Sequence, residues 1–535
     1  MKENFLSLIG FLLILLIFIT HAVYLNCIAE DAFISFRFAK NLANGHGLVW
    51  NIGDSPVEGY TNFLWVILCA LGIKSGLNIS VFAQSIGLIA SIMTLVFAYM
   101  FARKIFNLTK LQSLIPPLLL SVSGPFATWA ESGMETNLFG MFVLIGCYYF
   151  TYSLAYSTKK EMFFAYVAIL LATLTRPEGF MVFCILTALS LTFSGYNIKN
   201  SIREILYPVI SYLLPFSVYF IWRFKYFGYL LPNTYYAKTG GTFYQYLRGG
   251  TYVLYFALFF ILPFLPLIAI YIWENYKTGS KLFKILTFKM KINSDPGTFV
   301  FSVLILFFIL YIIFVGGDYM AMYRFFVPIL PEIYILLGYI IIKLISEDSF
   351  NFKRSTLITA LTAIAIAGTL LQSTPMEMKL FKQPSCLNGS YRGLLIEKWH
   401  SARLTLIGKF FHDYKKNDDD SLATVAIGAV SYYSDLKIYD QLGLVDPYIA
   451  HKKNNDKPIG KGLPGHEKGD LKYLLSKNPT YIMFNRDLTK EKIDIEDDLM
   501  RLKFRIGDKY KLTSVWLVDD VNNEEGYFNF LELKI

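Results

Sequence analysis

The sequence predicts a polytopic α-helical membrane protein carrying a C-terminal soluble α/β domain. Three observations predict it. Hydrophobic residues make up 55% of the 535 positions and aromatic residues 17%, with a mean hydropathy of +0.44, well above a soluble domain. Apolar runs long enough to span a bilayer recur through the first 375 residues. From about residue 376 these runs stop, charge rises, and short strand-like and helix-like stretches alternate over a further 160 or so residues, an ordinary domain size.

The elements follow in order. The run from Phe5 to about Tyr24 is too long for a signal-peptide core and lacks a small-residue cleavage site, which predicts an uncleaved anchor with its N-terminus in the cytoplasm. Further apolar runs lie at 80–101, 111–123, 136–155, 161–174, 178–194, 204–224, 250–272, 298–315, 325–345 and 355–372. With a span of roughly 17–25 residues, these predict about 11 transmembrane helices. The apolar stretch 61–73, bounded by Tyr60 and Lys74, is short for a span and reads as a helix lying at the interface. With that choice, the loops predicted inside are all basic: Arg103, Lys104 and Lys110; Lys159 and Lys160; Lys199 and Arg203; Lys277, Lys281, Lys284, Lys289 and Lys291; Lys353 and Arg354. The net charge of +10 is then the positive-inside bias, and nucleic acid is not an expected partner. The expected setting is a bacterial cytoplasmic membrane. The transmembrane domain is 1–375, with a first periplasmic loop at about 26–79, and domain 376–535 lies outside. That domain should hold strands at Leu422–Ile427, Lys437–Tyr439, Thr480–Phe484, Thr513–Val518 and Tyr527–Leu533, and helices at 398–414 and 468–477.

The same topology puts the unusual polar residues on one face. Glu30 and Asp31 follow the first apolar run and precede Arg37; two adjacent carboxylates at the mouth of a membrane helix are costly to place. The loop after them carries Trp50, Glu58, Tyr60, Thr61 and Asn62. Later come Glu131 and Glu135, Arg176-Pro177-Glu178, Asn233 with Lys238, and Asp318 with Arg324. An acidic pair, arginines and a polar-aromatic loop beside the bilayer suggest an enzyme acting on a lipid-borne substrate. A carboxylate within hydrogen-bond reach can take the proton of a hydroxyl nucleophile as the new bond forms, and arginine holds phosphate with two-pronged contacts. Each motif also has a plainer reading. Glu30 and Asp31 would cap the next helix or pair with Arg37. Arg176 and Glu178, like Asp318 and Arg324, would be internal ion pairs. Trp50, Tyr60 and Trp65 are placed to stack on a sugar. The five cysteines are scattered, four of them in or beside apolar runs, and show neither metal nor disulfide spacing. His46 and His466 are lone histidines in glycine-rich turns without metal-site spacing. The acidic turn Asn417-Asp418-Asp419-Asp420 reads as a solvated loop rather than a calcium site.

The segment from Glu30 through Asn51, followed by Val57-Glu58-Gly59-Tyr60-Thr61-Asn62-Phe63-Leu64-Trp65, resembles the opening of the terminal β-1,2-arabinofuranosyltransferase family of mycobacteria and corynebacteria, and of related GT-C glycosyltransferases. The similarity continues through Ser132-Gly133-Met134-Glu135-Thr136, Thr175-Arg176-Pro177-Glu178-Gly179, Leu231-Pro232-Asn233-Thr234-Tyr235-Tyr236, Gly316-Gly317-Asp318, Asp440–Pro447 and Pro464-Gly465-His466-Glu467-Lys468. The resemblance implies a GT-C fold, a polyprenyl-phosphate sugar donor and an acidic catalytic base in the first periplasmic loop. On matching positions the base is Asp31, with Glu30 as the alternative, since family members often show Asp-Asp here. It implies that the soluble domain helps to bind acceptor, with Asp446 and His466 as candidates. Some superfamily relatives hold a divalent metal near this pair, which makes a metal at Glu30 and Asp31 an expectation of the resemblance alone.

The reading is therefore an inverting glycosyltransferase that moves a sugar, with arabinofuranose as the subfamily's candidate, from a polyprenyl-phosphate donor to a cell-envelope glycan or glycolipid at the outer membrane face. The alternative is a transporter or flippase of lipid-linked sugars. A transporter should carry charges near the bilayer midplane and often an inverted repeat, whereas here no repeat is evident and the charges cluster toward one face.

Overall fold

The computed structural model describes residues 2–193, 198–277, 295–346, 352–375, 391–453, 459–493 and 509–534. Lys281, Lys284, Lys289 and Lys291 of the predicted inside loops, Cys386 and the predicted domain boundary at 376 lie outside the described residues. The four described cysteines, Cys27, Cys69, Cys147 and Cys184, are all free thiols.

The chain forms two compact units. The first joins Met1–Cys27, Ala83–Trp222 and Gln245–Leu394; the second joins Ile28–Phe82, Arg223–Tyr244 and Leu395–Ile535.

Among the described residues the predicted apolar runs fall mainly on helical backbone. Six helices among the described residues are long and apolar enough to cross a membrane by length and composition: Lys2–Leu25, Ile79–Lys104, Thr136–Tyr156, Phe243–Glu274, Pro296–Val315 and Arg324–Ser346. A helix satisfies all its backbone groups within the segment, which is what hydrocarbon demands. Other runs are shorter or broken. The run at 111–123 becomes a 3-10 turn, Gln112–Leu114, followed by a seven-residue helix, Ile115–Ser121, with Pro116 and Pro117 in its first turn. The run at 250–272 is interrupted by a π turn at Ala257–Ile261 and a 3-10 turn at Leu262–Phe264, where Pro263 cannot donate a backbone bond. Neighbouring helices Thr136–Tyr156 and Lys159–Thr175 meet at Gly146, where a Cβ would lie 2.3 Å from Ile169 Cδ1, so a larger residue would have to push the Ile169 side chain aside.

Two helix ends matter for the polar motifs. Arg176, ahead of Pro177, is extended (φ −153°, ψ 140°) and stops the Lys159–Thr175 helix. Gly316, at φ +87°, ends the Pro296–Val315 helix in the left-handed conformation, and the N–H groups of Gly316 and Gly317 both return to Ile312 O. Past it, Met322 and Tyr323 also hold positive φ, 55° and 46°, immediately before Arg324.

The second unit is built on a five-stranded sheet of order β2-β1-β3-β5-β4. Its strands are β1 (Ser421–Thr424), β2 (Lys437–Asp440), β3 (Tyr481–Ile482), β4 (Tyr510–Asp519) and β5 (Glu524–Leu533). β1 runs parallel to β2 and β3, while β5 is antiparallel to β3 and forms a long hairpin with β4. All four residues of β1 are buried, as expected of a strand covered on both faces. The helix Tyr391–Tyr414 lays Phe410 and Phe411 against Phe528 and Phe530 of β5. The helix Ala32–Ala43 packs beside the short helix Ala429–Ser434, with Phe33 against Tyr432 and Tyr433. The interfacial candidate is the helix Phe63–Lys74, of 12 residues; at about 1.5 Å per residue it reaches about 18 Å, short of a hydrocarbon core of about 30 Å. The acidic turn at 417–420 is a local cap, since Asp420 Oδ2 accepts the N–H groups of Lys416 and Asn417.

Candidate functional site

The second unit contains the acidic pair, and it treats the two carboxylates differently. Glu30 is 6% exposed and its Oε1 accepts the N–H of Ala429 at 3.0 Å. A Cβ at Gly428 would lie 2.2 Å from Glu30 O and 2.5 Å from Oε1, so glycine is required for this approach. Burial, and then the neighbouring Asp31 charge, push the Glu30 carboxyl up to about 8. Asp31 stands at the start of the Ala32–Ala43 helix, half-buried, and makes no capping bond. Its side chain has no hydrogen bond or ion pair among the described residues.

The Asp31 charge acts on the ring of His400, as do Arg486 and His466. His400 is largely buried and its Nδ1 is shut from solvent without a hydrogen-bond partner; burial first, then Arg486, hold its pKa down to about 3. Glu397, three residues earlier and so on the same helix face, acts in turn on Glu30. His400, Arg486 and Glu397 carry no motif spacing, and no local signal marks them; only the fold makes the charge of Asp31 felt at His400 and that of Glu397 felt at Glu30. His466, which the sequence did single out, is exposed in a glycine-rich loop with its Nδ1 3.1 Å from Pro464 O. The preceding Gly465 packs on the Lys238 side chain.

The remaining candidates of this unit tie the structure together. Arg37 is 8% exposed and donates to Trp50 O, Ser431 O, Leu436 O and Asn51 Oδ1 at 2.6–3.0 Å. It therefore pairs with neither Glu30 nor Asp31, and its donors are directed at its own fold. Trp50 is 2% exposed and lies beneath the Arg37 guanidinium at 4.7 Å, a core position with no face open for a sugar. Trp65 is fully buried. Tyr60 is buried edge-on to Phe38. Glu58 holds Arg223, with Nε 2.8 Å from Oε1, and Arg223 also donates to Leu230 O. Asn62 and Ser35 bond to one another in the interior, next to half-buried Thr61. Asn233 Nδ2 donates to Gly443 O and Leu444 O, both at 2.9 Å. Asp446 caps the helix Pro447–His451 through Ile449 N–H and accepts the Tyr473 hydroxyl. Its neighbour Asp440, buried and pushed up to about 6, accepts the N–H groups of Leu442 and Val445.

In the first unit the other predicted residues form two closed ionic groups. Arg176 Nη1 lies 2.8 Å from Glu135 and Nη2 lies 2.7 Å from Glu178. The Tyr311 hydroxyl donates to the same Glu178 oxygen at 2.9 Å. Arg324 Nε lies 2.6 Å from Asp318, and its guanidinium sits over Trp129 and Phe325. Arg176, Glu178, Tyr311 and Arg324 line a cavity of about 10 Å³, room for one water.

The described residues contain no group of three His, Cys, Asp or Glu side chains arranged to hold a metal. With Glu30 Oε1 taken by a backbone N–H, the pair does not by itself make a metal site, and no step below runs through a metal.

Residues 396–530 match the family described as Domain of unknown function (DUF8728). The sequence is 25% identical over 225 residues to the terminal β-(1→2)-arabinofuranosyltransferase of Mycobacterium tuberculosis, a match covering 39% of this chain and 35% of that protein. The alignment thus spans about a third of the relative's length. Among solved structures, ArnT from Cupriavidus metallidurans bound to undecaprenyl phosphate superposes with a TM-score of 0.51 and 11% identity, over 81% of this chain and 85% of that one. Its apo form gives 0.53 and 11% identity, over 99% and 98%. The archaeal oligosaccharyltransferase AglB from Archaeoglobus fulgidus, in complex with an inhibitory peptide and a dolichol-phosphate, gives 0.53 and 10% identity, over 98% of this chain and 74% of that one. At these identities the likeness establishes the fold: a GT-C membrane architecture with several apolar helices and a small C-terminal sheet domain, in a chain that resembles the terminal arabinofuranosyltransferases.

Proposed function

We propose that this chain is an inverting glycosyltransferase that takes a sugar from a polyprenyl-phosphate donor. The sugar goes to a cell-envelope glycan or glycolipid at the outer face of a bacterial cytoplasmic membrane. The observation that carries this reading is the division of labour in the acidic pair. Glu30 is anchored on the Ala429 N–H and favours its protonated form, while Asp31 beside it is half-buried and unengaged. In the proposed step the acceptor hydroxyl attacks the anomeric carbon from the face opposite the phosphate. The carbon–oxygen bond to phosphate breaks with its electron pair leaving on the polyprenyl phosphate, and Asp31 takes the hydroxyl proton. Phosphate is already a good leaving group, so one base suffices. Arabinofuranose is the first donor sugar to test, because the sequence resemblance points to it. The soluble domain, through His466 and the loop around it, is the proposed acceptor side.

The test uses the full-length protein in nanodiscs with a panel of polyprenyl-phosphate sugars, read by mass spectrometry of short glycan acceptors. Transfer from one donor, reduced about 10²–10⁴-fold by Asp31→Asn but only modestly by Glu30→Gln, is the expected result. Equal transfer by wild type and Asp31→Asn would remove Asp31 as the base.

One observation favours the carrier reading. Glu332 lies in the Leu330–Ser346 helix, 0% exposed, and neither carboxylate oxygen has a hydrogen-bond partner outside its own residue. An ionisable residue within a span is a functional candidate by default. Movement of lipid-linked sugar across proteoliposomes, abolished by Glu332→Gln, would support a carrier. The enzyme reading instead expects Glu332→Gln to leave sugar transfer unchanged.

A further inference from the structure

We propose that two copies of this chain associate through the outer edge of β4, each strand lying antiparallel to the other so that their five-stranded sheets join.

β4 is the last strand in the order β2-β1-β3-β5-β4, and among the described residues no strand pairs with its outer edge. The bonding of β5 shows which residues face that edge. In an antiparallel ladder the N–H and C=O of one residue point to the same side, and the side alternates along the strand. Tyr527 exchanges both its backbone bonds with Thr489, at 2.8 and 3.0 Å, and so turns away from β4. Trp516, opposite Tyr527, therefore turns its own groups outward. At the other end of the hairpin the Lys534 N–H donates to Lys509 O at 2.7 Å, which sets the odd-numbered residues of β4 toward β5. Tyr510, Leu512, Ser514, Trp516 and Val518 thus present their N–H and C=O groups along the outer edge.

Proteins usually blunt a free edge with a charged residue, a proline, a bulge or a short strand. β4 instead has 10 residues in unbroken register with β5. It carries no charge between Lys511 and Asp519, and Trp516 and Val518 are 46% and 50% exposed. Charge then selects the occupant. Asp519 and Glu524 are engaged by Arg403, and Glu532 by Lys416 and Lys511. That leaves exposed Lys509 and Lys534 at the open end of the β4–β5 hairpin, and exposed Asp520 and Glu525 at its turn end. A second β4 laid antiparallel sets the basic end of each hairpin against the acidic end of the other, whereas a parallel copy would set like on like. Centred on Val515, the pairing sets Leu512 opposite Val518 and Ser514 opposite Trp516, all four outward-facing. It also brings Asp520 opposite Tyr510, beside Lys509. An interface that is its own complement closes as a two-fold dimer.

The test counts protomers per particle for the full-length protein in liposomes, by stepwise photobleaching of one fluorophore per chain. Wild type should be chiefly dimeric. Ser514→Pro removes an N–H that faces away from β5, so it should weaken dimerisation about tenfold or more while the circular dichroism spectrum stays that of the wild type. Asp520→Lys with Glu525→Lys should weaken it as well, and adding Lys509→Glu and Lys534→Glu to the same chain should restore it. Val515→Cys, set opposite its own copy, should form an intermolecular disulfide on mild oxidation that the wild type, with its native cysteines, does not form. A wild type that stays monomeric at every protein-to-lipid ratio would overturn the proposal. So would a dimer that persists in folded Ser514→Pro and leaves Val515→Cys unlinked, because another surface would then hold it.

Discussion

The Arg176 cluster and the Asp31 neighbourhood use the same residue types for different ends. Around Arg176, two glutamates close on one guanidinium at 2.7–2.8 Å, a tyrosine hydroxyl donates to one of these glutamates at 2.9 Å, and the cavity left over admits one water. Around Asp31 the polar groups are not closed on each other. The aspartate has no capping bond, His400 Nδ1 has no partner, and Arg486 has an exposed guanidinium. Buried ions that satisfy one another hold a fold and have nothing left for a ligand. Groups fixed in place but left open are the ones a substrate can complete. Charged motifs of equal prominence in the sequence thus divide into scaffold and candidate site by whether their bonds are already made.

The largest effect should come from breaking the closed cluster. Arg176→Met leaves Glu135 and Glu178 buried without their cation and should destabilise the protein by about 3–5 kcal/mol. A thermal scan in detergent checks this, and Glu135→Gln with Glu178→Gln in the same chain should recover most of the loss. A midpoint unchanged by Arg176→Met would mean the cluster is not the scaffold described.

A smaller effect concerns Glu30, which sharpens the other side of the comparison. Its carboxyl is raised from an ordinary 4.5 to about 8. The folded protein therefore holds this proton more tightly than the unfolded chain. The contribution is fully present below pH 4.5 and is lost as pH rises toward 8, at up to about 1.4 kcal/mol per pH unit. Glu30→Gln, which can still accept the Ala429 N–H, should remove that slope between pH 4.5 and 8. Denaturant midpoints for both proteins across this range decide it: parallel pH profiles would mean Glu30 does not carry the proton.

Much of the architecture was legible in the chain. The apolar runs became helices because length and hydropathy are local properties. The strand-like runs became the five strands for the same reason, with ends shifted by a few residues. The breaks inside 111–123 and 250–272 follow from Pro116, Pro117 and Pro263, signals that a hydropathy count passes over. The assembly of the second unit was not legible, because it pairs residues some 400 positions apart. Nothing near Glu30 announces Ala429, and nothing near His400 announces Asp31. The site suffered accordingly. Arg37 and Trp50 read as ligand groups because an arginine and a tryptophan near an acidic pair are ambiguous until their burial is known. His400 and Arg486 passed unnoticed because they stand in no motif.

The most direct measurement is sugar transfer from purified polyprenyl-phosphate donors by wild type and Asp31→Asn in nanodiscs. The account predicts inversion at the anomeric carbon by the wild type from one donor and a loss of about 10²–10⁴-fold in the variant, at unchanged thermal midpoint. Transfer by Asp31→Asn at the wild-type rate, with the protein folded, would contradict it.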